Sequence, residues 1–144
     1  MARSNFTLIA FTEHLGDNIS DINAPSYDFK GNASSIKKFD INRTPIGEGY
    51  LILKAFDVNQ VNHRIIINGT DLPGVDIGIK PVSKANLFVD TFDSIPEGIL
   101  RKGENTVQIR LASGSKDNFV ISMMIIHWKE SGFSLYFDRF LRFS

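Results

Sequence analysis

Thr106-Val107-Gln108-Ile109-Arg110-Leu111 alternates apolar and polar side chains without interruption. Successive side chains of a strand point to opposite faces, so this spacing predicts a strand with Val107, Ile109 and Leu111 in a core and Gln108 and Arg110 in water. One packed face and one wet face mark an antiparallel sheet. Lys102-Gly103-Glu104-Asn105 turns the chain before this strand, and the polar segment Ala112 to Asn118 follows it. Next comes Phe119 to Trp128, apolar on both faces, which is expected to lie in mid-sheet and to be covered on both sides.

The same period of two recurs upstream. Tyr50 to Phe56 places Leu51, Leu53 and Ala55 on one face, with Ile52 and Phe56 on the other, as in a central strand. His63-Arg64-Ile65-Ile66-Ile67 is rich in β-branched residues and stops at Asn68-Gly69, a pair that accepts the positive φ angles of a tight hairpin. Val75, Ile77 and Ile79 read as another strand, ended by Pro81, which has no amide hydrogen to donate. Asn86 to Phe92 is a further candidate, and Ile95 to Leu100 is expected to hold one helical turn. Residues 1–46 are less regular, with strand candidates at Phe6 to Phe11 and Ile36 to Ile41 separated by a long polar loop. The last dozen residues contain Phe133, Phe137, Phe140 and Phe143, more than a free tail would carry, so segment 133–144 is expected to dock. No amphipathic helices lie between the strands, so the expected fold is a single all-β domain over residues 1–144: an antiparallel jelly-roll β-sandwich with its strand-rich core at 47–128.

Composition narrows function by exclusion. In the 144 residues, 16 Lys and Arg balance 16 Asp and Glu, so no net field draws the chain to nucleic acid or anionic lipid. The absence of cysteine excludes disulfides and thiolate chemistry, and leaves the hydrophobic core to hold the fold. No stretch reaches the roughly 18 apolar residues of a membrane helix, and no signal peptide is seen, so synthesis in the cytoplasm is expected. His14, His63 and His127 lack metal-motif spacing, and neither a nucleophile elbow nor a phosphate loop is present. The chain is therefore read as a binding protein, not an enzyme.

Tyr50-Leu51-Ile52-Leu53-Lys54-Ala55-Phe56-Asp57, Ile65-Ile66-Ile67-Asn68-Gly69 and Leu100-Arg101-Lys102-Gly103-Glu104-Asn105-Thr106-Val107-Gln108-Ile109 together resemble the galactose-binding-like jelly-roll domains, which include carbohydrate-binding modules. The match covers roughly residues 47 to 128. The resemblance implies a lectin-like module that needs no cofactor and binds sugar through loops at one end or across a sheet face. Its motifs specify turns; the family's ligand contacts differ from member to member.

The candidate sugar contacts are Asp57, His63, Arg64, Asp71, Asp76, Lys80 and Asn86, polar residues in or beside the Asn-Gly hairpin and the segment after it. Trp128 is added as a ring able to stack on a pyranose, and Tyr27, Tyr50 and Tyr136 share that chemistry. Asp17, Asp21 and Asn23 offer oxygens at a spacing that suits a structural calcium. A second functional class stays open: an assembly subunit forming homo-oligomers or docking on a larger complex through its C-terminal segment. A chain that starts at Met1 and ends in an aromatic segment favours that alternative.

Overall fold

A computed structural model of the chain describes residues 2–80 and 87–131. The strands are β1 (Ala2–Leu15), β2 (Asp28–Gly31), β3 (Lys37–Ile41), β4 (Pro45–Phe56), β5 (Arg64–Ile67), β6 (Thr70–Asp71), β7 (Phe88–Ile95), β8 (Gly103–Arg110) and β9 (Phe119–Ser131). They form a five-stranded sheet in the order β2-β1-β9-β4-β7 and a four-stranded sheet in the order β3-β8-β5-β6. Every described pair of strands is antiparallel except β1 with β2. Leu51, Leu53, Ile121 and Ile126 from the first sheet meet Ile65, Ile67, Val107 and Ile109 from the second, and this contact is the core.

The alternation in β8 holds, with Val107 and Ile109 fully buried and Arg110 exposed. Leu111 lies one residue past the strand and is half-buried, and Gln108 bends over to donate to the Ser34 carbonyl at 3.1 Å. The Asn68-Gly69 turn is also as expected, with φ angles of 52° and 77°. It connects to the second motif of the resemblance. Asn68 Nδ2 donates to Asn105 Oδ1 at 2.8 Å, and Asn68 Oδ1 accepts the Thr106 amide at 2.8 Å. Asn105 is fully buried and closes its own turn through Arg101 and Gly103.

Four expectations are corrected. The strand candidates Phe6 to Phe11 and Ile36 to Ile41 fall in β1 and β3, but β1 is longer, 14 residues paired along β9, and the segment between them holds β2 as well as loop. The strand pattern of β1 is disguised by a bulge between Ala10 and Glu13, where Thr12 has a φ of 52°. Residues 75–79 form no ladder, because the Asp76 carboxylate takes the Ile65 amide at 2.7 Å and Leu72 N donates to Ile65 O, so loop 72–80 lies along β5 as a strap. The pleat is lost as well: the adjacent Asp76 and Ile77 are both buried, while Val75 and Ile79 are exposed. Residues 95–100 make a turn closed by Ile99 N to Pro96 O rather than a helical one. Finally, β9 does run mid-sheet, but its outer side chains Met123, Ile125 and His127 are only half-buried. Segment 133–144 and Asn86 lie outside the described residues.

Candidate functional site

The outer face of the four-stranded sheet carries a cleft of about 850 Å³. Because Ile65, Ile67 and Ile109 point inward, Arg64, Ile66 and Arg110 point outward and form its floor. One wall is the crossing segment Asn32–Ala33, fixed by Leu111 N donating to Asn32 O and by a bridge between Ala33 and Arg110. The other wall is loop 112–116, with Asp17, Asn62 and Asp71 at the rim.

A buried hydrogen bond between His63 and Asp117 holds the second wall. His63 Nδ1 accepts the Ala112 amide at 3.0 Å, so the ring hydrogen sits on Nε2, which donates to Asp117 Oδ2 at 2.8 Å. Asp117 also accepts the amides of Asn59 and Gln60. Burial pushes the Asp117 carboxyl up, but the hydrogen bonds from His63 and Asn59 outweigh it and hold the group below its ordinary value. Next to it Asn118 Oδ1 accepts from the Asn18 amide and pairs with His14 Nε2, while its Nδ2 donates to Asp17 Oδ1. Gly16 packs so closely here that a Cβ would sit 1.8 Å from Asn118 Oδ1.

Arg64 is tied to the strap. Its Nε donates to Asp71 Oδ1 at 2.7 Å, and its terminal nitrogens donate to the carbonyls of Gly74 and Leu72. Asp76 lies behind it, fully buried, with Oδ2 3.5 Å from the guanidinium. Burial pushes the Asp76 carboxyl up to about 7, against the pull of the Ile65 amide and Arg64. Burial also raises the Asp93 carboxyl, against the pull of the Ser94 amide and its neighbours Asp76 and Arg64. Asp76 Oδ1 and Asp93 Oδ2 have no hydrogen-bond partner among the described residues.

Of the residues singled out from sequence, Arg64 and Asp71 line the cleft, and Asp17 stands at its rim. The others are placed elsewhere. His63 and Asp76 are wholly buried and support the cleft from behind instead of touching a ligand. Asp57 and Lys80 pair with each other. Trp128 is 4% exposed and donates to Glu130 Oε2, so its ring presents no face to a sugar. Burial would raise the Glu130 carboxyl, but bonds from Trp128, Arg3 and Asn5 hold it low. Asp21 and Asn23 are exposed, and among the described residues no three acidic or histidine side chains are grouped to hold a metal. Sequence reading missed Asp117 and Asn118; their only signal was a polar pair directly before an apolar strand.

The outer face of the five-stranded sheet carries a row of aromatic rings. Phe6, His127, Tyr50 and Phe92 stack in that order across β1, β9, β4 and β7, with centroids 5.6, 4.5 and 5.0 Å apart. Rings that stack on one another spend their faces internally, so this row shows mainly edges to solvent, whereas a pyranose stacks on a face.

The family of unknown function DUF7383 matches residues 3–130. The chain belongs to that family. No curated protein matches it in sequence. Among solved structures it is similar to the CBM36-1 domain of a multidomain xylanase from the hindgut metagenome of Trinervitermes trinervoides, at TM-score 0.51 and 14% identity, covering 85% of this chain and 96% of that one. A family 35 carbohydrate binding module from an environmental isolate matches at TM-score 0.53 and 12% identity, covering 83% and 91%. Dimeric latent PorU from Porphyromonas gingivalis matches at TM-score 0.55 and 12% identity over 90% of this chain, which spans only 13% of PorU. These likenesses show the fold: this DUF7383 chain is a β-sandwich of the carbohydrate-binding-module type, as the residue motifs implied. Among the described residues, no helix is long and apolar enough to cross a membrane.

Proposed function

We propose that the chain is a non-catalytic module that takes a carbohydrate in the cleft of the four-stranded sheet. The observation that carries this reading is the cleft's lining, where Asn62, Asp71, Arg110, Ser113 and Lys116 surround a solvent space of about 850 Å³. Such alternating donors and acceptors match the hydroxyls of a sugar, and the floor is built on sheet residues that keep their positions on binding. The carbohydrate-binding modules that share the fold support it. Calorimetric titration with a panel of oligosaccharides, with binding mapped by amide chemical shifts, tests it. Saturable binding that moves Asn62, Ser113 and Lys116 is expected; affinities no tighter than millimolar for every saccharide would overturn the reading.

A second reading, assembly of copies of this chain, is favoured by the aromatic row. Phe6 and Phe92 are 61% and 63% exposed, and Leu8 and Phe88 extend the same face. A monomer seldom leaves so large an apolar patch in water. A second copy packing on this face is the occupant that reading requires, and the aromatic segment 133–144, expected from its sequence to dock on a neighbour, belongs to it as well. Light scattering decides: an oligomer that Phe6→Ser with Phe92→Ser converts to monomer supports assembly, and a monomer at all concentrations removes it.

A further inference from the structure

Arg64 and Arg110 stand directly opposite each other on β5 and β8. Like charges in that position repel and destabilise the sheet, so the pair needs a compensating reason. For Arg64 the reason is internal, since Asp71, Asp76 and the carbonyls of Leu72 and Gly74 absorb its charge and its donors. Arg110 has no such partner: among the described residues no carboxylate or carbonyl accepts from its guanidinium. Its backbone is nonetheless fixed, by pairing to Arg64 on one side and by the bridge to Ala33 on the other, so the side chain rises from a rigid floor into the cleft. Lys116 adds a second cation from the wall, also without an ion-pair partner among the described residues. The carboxylates at hand do not neutralise these two: Asp71 is engaged by Arg64, and Asp17 is turned to the Asn118 amide.

We propose that the cleft selects an acidic saccharide, whose carboxylate or sulfate group docks on Arg110 with Lys116 beside it. The proposal rests on the carbohydrate reading and adds the ligand's charge to it. Arginine suits the task because its planar fork gives two parallel hydrogen bonds to a carboxylate or sulfate edge, a geometry that neutral hydroxyls do not match. Since the chain's formal charge is zero, the attraction is local to the cleft and does not arise from a generally basic surface.

The test is a set of parallel titrations with an oligouronide, its neutral methyl ester, a sulfated oligosaccharide, the matching unsulfated one, and inorganic sulfate alone. One charge-assisted contact corresponds to about tenfold in affinity, so an acidic saccharide is expected to bind about tenfold tighter than its neutral counterpart. That margin should shrink with added salt and vanish in Arg110→Gln, whose melting temperature should not fall below wild type because the like-charge pair is gone. The uronide and sulfated arms tell carboxylate from sulfate. Equal affinity for acidic and neutral forms would overturn the acidic preference while leaving the carbohydrate reading intact; no binding by any saccharide would remove both. Inorganic sulfate binding as tightly as the sulfated sugar would overturn a saccharide site in favour of a plain anion site.

Discussion

At residue 76 the fold keeps a carboxyl in the core beside a second one, with one oxygen of each lacking a donor. Burying the Asp76 carboxyl has a measurable consequence. Asp76 holds its proton up to about pH 7 when folded, against an ordinary value of 3.8, so between these values the native state binds more protons than the unfolded chain. Stability then falls as pH rises through that window, and above it the full cost of the buried charge applies. Below 3.8 both states are protonated and the group contributes nothing. Asp76→Asn, which carries no ionisable group, is expected to melt like wild type near pH 4 and to be more stable by about 2 to 4 kcal/mol at pH 8. Thermal melts at the two pH values check this, and an equal shift at both would show that the fold does not hold Asp76 protonated. Two glycines offer a like-for-like comparison. Gly69 has open space where a Cβ would go, so Gly69→Ala meets only the backbone term of about 1 to 2 kcal/mol. At Gly16 the Cβ would strike Asn118 Oδ1, displacing the residue that joins His14, Asn18 and Asp17. Gly16→Ala is expected to cost about 3 kcal/mol or more; if denaturant unfolding ranked Gly69→Ala as the worse of the two, Asn118 would not occupy that position.

Among the elements, the β5–β6 hairpin and the turn into β8 act as one unit through Asn68 and Asn105. The Asn68 amide pairs with the Ile99 carbonyl and the Thr106 N–H of the second turn, the Asn105 amide pairs with Arg101 and Gly103 of its own turn, and the two side chains bond each other, so removing either leaves polar groups unpaired. Asn105→Ala is expected to cost about 2 to 3 kcal/mol, and Asn68→Ala with Asn105→Ala should fall short of the sum by about 1 kcal/mol or more. Additive losses in a double-mutant cycle would show the turns to be independent. This is also where sequence was most informative. The turns, β4, β5, β8 and β9 were readable because the residues that make them are local and alternate regularly over Leu51 to Ala55, Ile65 to Ile67, Val107 to Ile109 and Met124 to Trp128. β1 was readable only over Phe6 to Phe11, because a bulge shifts its alternation at Thr12 and its partner lies over a hundred residues away. The cleft was half readable. Arg64 and Asp71 follow from their nearness to the hairpin, but Arg110 looked like an ordinary outward residue. What sets it apart is its cross-strand neighbour and the lack of an acceptor, and both depend on register. Trp128 misled for a related reason: its chemistry suits a sugar, but its position in the pleat turns the ring inward.

For the whole molecule, the order β2-β1-β9-β4-β7 places the C-terminal described strand between the first long strand and β4. Most of that sheet's pairing is therefore between residues far apart in sequence, which predicts refolding on the slow millisecond-to-second scale of sandwich proteins. Stopped-flow refolding that finishes in microseconds would contradict the topology. The arrangement also bears on synthesis from the ribosome. A growing chain can form the β5–β6 hairpin and join it to β8 early, because those strands are close neighbours. Until residue 131 has been made, however, β1 and β4 each keep an open edge of backbone donors and acceptors facing an empty lane. An open edge is a template for any other strand, so a nascent chain halted in the polar turn at 112–118 holds one sheet nearly finished and the other split in two. A single late strand closes that gap, and both open edges disappear together when β9 slots between β1 and β4.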